Sequence, residues 1–164
     1  MNKEELIQSI NQAFDGVPQP KDITLHVAEA HDDYDYEHDA EHRQKDFIGR
    51  WQDVPNEHIQ KCRCAMSYVD AVGMRYYLPA QMIWYLKNFG NSKIVVDDMP
   101  LYTLDPHDNN ENLRKYQQER FSLFSPEQLK ACAHFVKFCA EDETRFTDTT
   151  FAEKVYERYW KKFG

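Results

Sequence analysis

Apolar side chains recur along this chain mainly three or four residues apart, which is the spacing of one helix face. Near the start, Leu6, Ile10 and Phe14 follow this period, and they predict an amphipathic helix over about residues 3–14. Asn2 precedes the stripe and is suited to cap the helix, because its side chain can accept a hydrogen bond from a free backbone N–H. The chain therefore begins with a predicted surface helix that buries one face.

The same period predicts three more helices in the first half of the chain. A second helix is expected to follow Asp22 as its cap, with Val27 on its apolar stripe. A third is expected over about residues 55–66. The central helix is expected to start at Pro79, because proline suits the first turn, and to end at Gly90.

The signals that mark helix starts are clearer in the second half of the chain. A polar helix is expected over about residues 110–120. Ser125 and Gln128 then have the spacing of a capping box around a proline, which predicts a helix that runs to about residue 140. A last helix is expected to follow Asp148 or Thr149 as its cap, with apolar residues at helical spacing, namely Phe151, Val155, Tyr159 and Phe163.

One stretch does not follow the helical period. Two short apolar runs, residues 93–96 and 101–104, fit a short β-hairpin near 93–104, although Pro100 at the turn weakens the pattern. Taken together, these patterns predict a mainly α fold, a single compact domain spanning residues 1–164 with five to seven helices and room for this one hairpin.

Composition agrees with a folded domain. The 164 residues are 41% hydrophobic and 14% aromatic, which is too rich in core-forming side chains for a disordered chain, although the mean hydropathy of −0.81 indicates a very polar surface. No stretch approaches the roughly 20 apolar residues of a membrane-spanning helix. The first residues carry acids where a secretory signal needs a basic region, so we expect a cytoplasmic protein.

Charge disfavours nucleic acid as a partner and points to proteins. Twenty Lys and Arg against 28 Asp and Glu give a net charge of −8, whereas binding to a phosphate backbone requires a basic face. Eight acids and no Lys or Arg lie in residues 22–41. This acidic stretch is either a solvated face or a docking surface for a basic partner. The expected partner-binding residues are Asp32, Asp33, Asp35, Glu37, Asp39 and Glu41.

The same stretch contains a motif of metalloenzymes. His38, Glu41 and His42 match H-x-x-E-H, in which two histidines one helical turn apart hold zinc and the glutamate activates water. On a continuous helix, four ligands for Zn or Ni would share one face, namely His31, Asp35, His38 and His42. Against this interpretation, residues 35–46 offer almost no apolar anchor, so an exposed or flexible acidic segment over about residues 31–46 is the alternative.

No other catalytic arrangement stands out. The four cysteines are expected to be reduced thiols, and Cys132 and Cys139 share a helix face as small core residues. There is no G-x-S-x-G elbow and no phosphate-binding glycine loop. The sequence thus favours a non-enzymatic interaction protein, for example an immunity or antitoxin-type inhibitor, over a metal-binding protein or metal-dependent hydrolase.

Three motifs together carry a family resemblance: WQDVP at 51–55, MRYYLPA at 74–80 and RFSLFSPEQ at 120–128. In this combination the chain resembles an uncharacterised bacterial family, a domain of unknown function, over most of its length. The resemblance implies a bacterial origin and a packing signature around a Tyr-Leu-Pro-Ala helix start, and it implies no activity. The signature residues are Trp51, Tyr77, Leu78, Pro79 and Ala80.

Overall fold

We describe a computed structural model that covers all 164 residues of the chain. It contains nine α-helices, three short 3₁₀-helices and no β-strand. The α-helices are α1 Lys3–Ala13, α2 Leu25–Asp32, α3 Asp39–Arg43, α4 Asn56–Lys61, α5 Ala71–Asn88, α6 Met99–Thr103, α7 Glu111–Phe121, α8 Pro126–Ala140 and α9 Thr149–Arg158. The 3₁₀-helices are Trp51–Asp53, Arg63–Ser67 and Trp160–Phe163. The predicted mainly α fold is confirmed, with more helices than the five to seven expected.

Helix α5 lies at the centre of the molecule. Thirteen of its 18 residues are buried, so it is apolar on every side and lacks the polar face of a surface helix. Helix α8 packs against both α1 and α9, and α5 contacts α1, α4 and α7 around the same core. A single cluster of 35 buried hydrophobic residues joins these elements.

The start of α5 differs from the prediction. The helix begins at Ala71, after Asp70, whose side chain accepts a hydrogen bond from the Gly73 N–H at 2.9 Å. Pro79 therefore lies inside the helix, where it lacks an N–H and cannot donate to the carbonyl one turn earlier. Proline at the first turn is a common signal, but here the Asp70 cap starts the helix two turns earlier and burial on all sides holds it together.

The predicted β-hairpin near 93–104 is not formed. Residues 91–98 are irregular, and α6 occupies Met99–Thr103 instead. Pro100 explains the outcome, because it has no N–H for a strand ladder but fits the first turn of a helix.

Two other predicted boundaries shift. The helix expected over residues 55–66 is divided into α4 and the 3₁₀-helix Arg63–Ser67, with Cys62 between them as the C-cap of α4. The second helix begins at Leu25, and its N-cap position is Thr24 and not Asp22, although the Thr24 side chain makes no capping hydrogen bond. Both changes concern the elements that carry the candidate site.

The helices with strong local signals are confirmed. Asn2 and Glu5 form a capping box at α1, and Ser125 and Gln128 form one at α8. Asp148 caps α9 by accepting a hydrogen bond from a backbone N–H. Cysteine behaves as expected too, since all four thiols are free and Cys132 and Cys139 are fully buried. No helix has the length and apolar character needed to cross a bilayer.

Candidate metal centre

The predicted four-ligand stripe lies on two separate helices. Helix α2 ends at Asp32, Tyr34 adopts a positive φ of 62°, and α3 begins only at Asp39. A left-handed residue reverses the chain direction and ends helical periodicity. The continuous helical face expected for His31, Asp35, His38 and His42 is therefore not formed.

Asp35 connects two of these histidines instead. Its Oδ1 lies 2.9 Å from His38 Nδ1, and its Oδ2 lies 2.8 Å from His42 Nε2. Hydrogen bonds from the two imidazoles hold the pKa of Asp35 well below its ordinary value, and Asp35 in turn raises the pKa of His38. Lys45 Nζ lies 3.2 Å from the other nitrogen of His42. Asp35 is thus hydrogen-bonded to two histidines of α3, the N-cap His38 and His42, and these contacts hold the helix in place.

His31 belongs to a different pair. Its Nε2 lies 2.9 Å from Asp39 Oδ1, at the first residue of α3. These contacts tie the end of α2 to α3 and give the acidic segment an ordered geometry. The four predicted ligands form hydrogen-bonded pairs, and no three of them converge within 4.8 Å.

The six acids predicted to bind a partner fall into two groups. Asp35 and Asp39 are paired with histidines as described, whereas the other four form no salt bridge, namely Asp32, Asp33, Glu37 and Glu41. Tyr34 and Tyr36 stand among them with 85% and 58% of their surface exposed. This acidic surface, as we call those four acids and two tyrosines, is open to solvent.

Metal-type ligands converge one turn earlier on α2. His26, Glu29 and Cys62 each offer a donor atom, and these three atoms all lie within 4.8 Å of one another. Cys62 Sγ donates to Glu29 Oε2 at 3.1 Å. His26 and Glu29 face the same side of α2 because they are three residues apart. This group of three is the candidate metal centre.

Asp46 holds the imidazole of His26 in place. His26 Nδ1 lies 2.7 Å from Asp46 Oδ1, and the His26 backbone N–H donates to the same oxygen at 3.1 Å. Both side chains are only 6% exposed. A carboxylate on one ring nitrogen fixes the tautomer and leaves the other nitrogen as a lone-pair donor, which is the usual outer arrangement of metal-binding histidines. The geometry assigns that role to Nε2 of His26.

His58 completes the surroundings of the centre. Its ring lies perpendicular to that of His26 with 4.8 Å between centroids. It precedes Cys62 by one helical turn on α4, and the Cys62 N–H donates to its carbonyl at 2.9 Å. His58 is half-buried, so it lies between the centre and solvent.

The charge at the centre is unbalanced. No Lys or Arg forms a salt bridge with Glu29 or Asp46, and Asp46 Oδ2 is buried without any hydrogen-bond partner. Burial and the neighbouring Glu29 carboxylate raise the pKa of the Cys62 thiol. A divalent cation would neutralise these groups, because metal ligation removes the thiol proton and a cation offsets buried carboxylates.

The sequence contains two spacings that indicate part of the candidate metal centre. His26 and Glu29 have the spacing H-x-x-E, and His58 and Cys62 have the spacing H-x-x-x-C, so each pair shares a helix face. The longer H-x-x-E-H match at residues 38–42 is the more conspicuous pattern, but its residues do not converge on one point. Asp46 could not be found this way, because it reaches His26 from an irregular segment 20 residues further along.

The signature residues of the family resemblance are structural. Trp51 is buried and donates from Nε1 to the Phe14 carbonyl at 2.8 Å. The Tyr77 hydroxyl accepts from the Leu25 N–H at 3.1 Å, which anchors the first residue of α2 to α5. Leu78, Pro79 and Ala80 are buried in α5.

The fold and the site together define an all-α protein with a compact group of metal-type ligands between two of its helices. The chain belongs to DUF6714, a family of unknown function, whose model matches residues 2–163. The resemblance to a domain of unknown function is thereby confirmed over nearly the whole chain. No curated protein and no solved structure matches it.

Proposed function

We propose that this protein binds a divalent transition metal, Zn²⁺ by preference, through His26 Nε2, a Glu29 carboxylate oxygen and Cys62 Sγ. The observation that carries the proposal is that one donor atom from each of the three side chains lies within 4.8 Å of the others, while Asp46 occupies Nδ1 of His26. Imidazole and thiolate favour zinc and its neighbours over Mg²⁺ and Ca²⁺, which prefer oxygen ligands alone.

The distances fit a tetrahedral ion after a small closure. Zinc bonds of about 2.0–2.3 Å place tetrahedral ligands roughly 3.3–3.8 Å apart. The Cys62 Sγ to Glu29 Oε2 separation of 3.1 Å is already slightly shorter than that range. The two separations from His26 need at most about 1.5 Å of closure to reach it, which rotation of the Glu29 and Cys62 side chains can supply.

Three protein ligands leave the fourth position of a tetrahedral zinc open. Sites of this kind hold a water molecule or a substrate at that position, and zinc lowers the pKa of the bound water to about 7. His58 lies beside the group of three ligands, since its ring contacts that of His26. The three ligands therefore suit metal binding, and the open fourth position would allow a reaction at the bound metal.

Cobalt titration offers the sharpest test. Protein freed of metal with a chelator is titrated with Co²⁺ and then Zn²⁺, while near-ultraviolet absorption reports thiolate-to-cobalt charge transfer and calorimetry reports stoichiometry. We expect one equivalent to bind with a charge-transfer band. Cys62→Ser removes the band, and Cys64→Ser is the matched control, because Cys64 is exposed two residues away.

Two outcomes would overturn the proposal: no binding by the wild type, or a band that survives in Cys62→Ser. A double variant, His38→Ala with His42→Ala, distinguishes this centre from the histidine cluster around Asp35. Binding that is lost in the double variant and retained in Cys62→Ser would place the metal at the cluster that the sequence first suggested.

A second candidate function is protein docking through the acidic surface, as the sequence predicted. The supporting observation is that four of its acids have no basic partner and that Tyr34 and Tyr36 are exposed between them. Tyrosine is enriched in protein interfaces, and a surface with one sign of charge attracts a partner of the opposite sign. The partner is then a protein with a basic surface.

Charge-matched variants test the docking function. A lysine-rich peptide is the probe, and chemical-shift changes in the protein's amide spectrum report where it binds. We expect shifts confined to residues around the acidic surface, which are reduced in Asp33→Asn, Glu37→Gln, Glu41→Gln. The control removes three exposed acids elsewhere, Glu4→Gln, Glu127→Gln, Glu153→Gln. Equal loss in both triple variants would mean that only net charge matters and would refute a docking site.

A further inference from the structure

Arg120 is a buried cation without an acidic partner. It lies on α7, is only 5% exposed, and no carboxylate comes within 4 Å of it. Its guanidinium donates to the Met66 carbonyl at 2.5 Å and to the Ser67 carbonyl at 3.1 Å. These contacts tie α7 to the end of the 3₁₀-helix Arg63–Ser67.

The two carbonyls use only part of the guanidinium. An arginine carries five N–H donors, and Arg120 Nε is buried with no hydrogen-bond partner. The Tyr116 ring, with its centroid 5.0 Å from the guanidinium carbon, adds a cation–π contact but no counter-charge. Since arginine stays charged in proteins and buried charges are normally paired, the positive charge lacks its expected partner.

Arg120 also lines a cavity of about 460 Å³, which is within the usual range for small-molecule sites. The rim of this cavity is unusually apolar for a surface. Four of its large side chains are between 39% and 45% exposed, namely Tyr68, Tyr102, Leu113 and Tyr116. Exposed apolar side chains grouped around one concavity are typical of a ligand-binding surface.

Several other polar groups on the wall already have partners. The Tyr102 hydroxyl donates to Asp148 at 3.2 Å, and His107 Nδ1 lies 3.3 Å from Asp105. Gln117 donates to two backbone carbonyls. Arg120 is therefore the one lining side chain with both a charge and a donor unused.

We propose that this cavity, formed by α6, α7 and the 3₁₀-helix Arg63–Ser67, binds a small organic carboxylate whose aromatic or apolar body lies against the tyrosine rim. The carboxylate accepts from the hydrogens on the terminal nitrogens of Arg120 that the two carbonyls leave unused, and the planar guanidinium matches carboxylate geometry. Asp105 and Asp148 stand behind the wall and repel a second negative charge, so the site selects a monocarboxylate. This site is independent of the candidate metal centre.

Paired probes test the charge requirement. 3-Phenylpropionate and its neutral amide, 3-phenylpropionamide, are compared by ligand-detected nuclear magnetic resonance and by thermal shift of the intact protein. We expect the carboxylate to bind and the amide to bind at least tenfold more weakly. Equal binding of the two probes, or no binding of the carboxylate, would overturn the proposal.

Rim variants test the location without disturbing the buried arginine. Leu113→Glu places a negative charge at an exposed rim position of α7, and Asn112→Glu adds the same charge one residue earlier. We expect Leu113→Glu to weaken carboxylate binding roughly fivefold, as one like charge at about 8 Å does at a protein surface, and Asn112→Glu to weaken it less. Equal weakening by the two variants would place the probe elsewhere on the protein.

Arg120→Gln completes the set if circular dichroism shows that it folds. It removes the cation but keeps a donor of similar length, so we expect carboxylate binding to be lost and weak amide binding to persist. Unchanged carboxylate binding in a folded Arg120→Gln protein would contradict the assigned role of the guanidinium.

Discussion

Two buried charged residues of opposite sign, Asp46 and Arg120, support the two proposed binding sites. Asp46 has one oxygen satisfied by His26 and the other buried with no partner. Arg120 has two carbonyl contacts and a buried Nε without one. Leaving a buried polar atom unpaired costs about 1–3 kcal/mol. At each site a ligand of opposite charge would offset the unbalanced charge.

Replacing Asp46 by Asn should weaken zinc binding without removing any ligand. The amide can still accept from His26 Nδ1, but it carries no negative charge to make the imidazole a stronger donor. We expect affinity to fall about 10–100-fold, as is typical for partners of ligating histidines. Competition with a chromophoric chelator measures the change, and Asp53→Asn, at an exposed position, serves as control. An affinity equal to that of the wild type would mean that Asp46 does not orient His26.

The pair formed by Asp35 and His38 predicts a pH dependence of stability. Asp35, together with Glu41, raises the pKa of His38 in the folded state. A raised folded pKa stabilises the fold below the unfolded value of about 6.5, and that stabilisation is lost as the pH rises through the folded pKa. The pKa of Asp35 is lowered in the folded state. The stabilisation that Asp35 contributes is therefore present above about pH 4 and is lost as the pH falls further. The pair is thus most stabilising between about pH 4 and 6.5.

We therefore expect His38→Gln to lower the urea midpoint of unfolding at pH 5.5 and to leave it nearly unchanged at pH 8.5. His134→Gln is a control that should change the stability at pH 5.5 in the opposite direction. Burial and the nearby Lys130 and Lys137 lower the pKa of His134, so this histidine destabilises the fold when acid protonates it, and its removal should help at pH 5.5. A His38→Gln effect that is equal at both pH values would show that the ion pair plays no part.

At the level of whole elements, the predictable helices are those with their own start signals. α1 and α8 carry complete capping boxes, at Asn2 with Glu5 and at Ser125 with Gln128, and both were placed within a residue. The start of α5 was misplaced because Pro79 is a strong local signal, while the burial that tolerates it is a property of the whole fold. Tertiary burial overrides local propensity in this way.

The candidate metal centre is harder to predict from the sequence than the helices are. His26 and Glu29 are neighbours on α2, but Cys62 reaches Glu29 across 33 residues and Asp46 reaches His26 across 20. No periodicity reports such contacts. The Arg120 cavity depends in the same way on a contact with Met66 that spans 54 residues. Spacing indicates which side chains share a helix face, and only packing decides which faces meet.

The capping box of α8 allows a prediction at this scale. Ser125→Ala removes the hydroxyl that accepts from the Gln128 N–H at 3.2 Å, and it weakens the return contact from the Gln128 side chain. We expect a loss of about 1 kcal/mol in the free energy of unfolding. Urea denaturation measures it. Ser9→Ala, inside α1, is the control and should be neutral or slightly stabilising, and an equal loss in both variants would argue against a capping role.

For the whole molecule, the relevant quantity is net charge. The chain carries −8 at neutral pH and has a pI near 5.3, and protonation of its seven histidines removes most of that charge. Five of them face carboxylates within hydrogen-bonding or salt-bridge distance, namely His26, His31, His38, His42 and His107. As net negative charge is lost in acid, the repulsion between molecules weakens.

Mild acid should therefore precipitate the folded protein before it unfolds it. Repulsion between molecules is weakest near zero net charge, so we expect solubility to be lowest close to pH 5.3. The stabilising window of the Asp35 and His38 pair includes that pH. Light scattering and far-ultraviolet circular dichroism over pH 4.5–8 separate the two processes. Adding salt should change the scattering by screening exposed charge. Loss of helical signal at or above the pH where scattering begins would mean that unfolding drives the aggregation, and it would contradict the stabilising role of the Asp35 and His38 pair in mild acid.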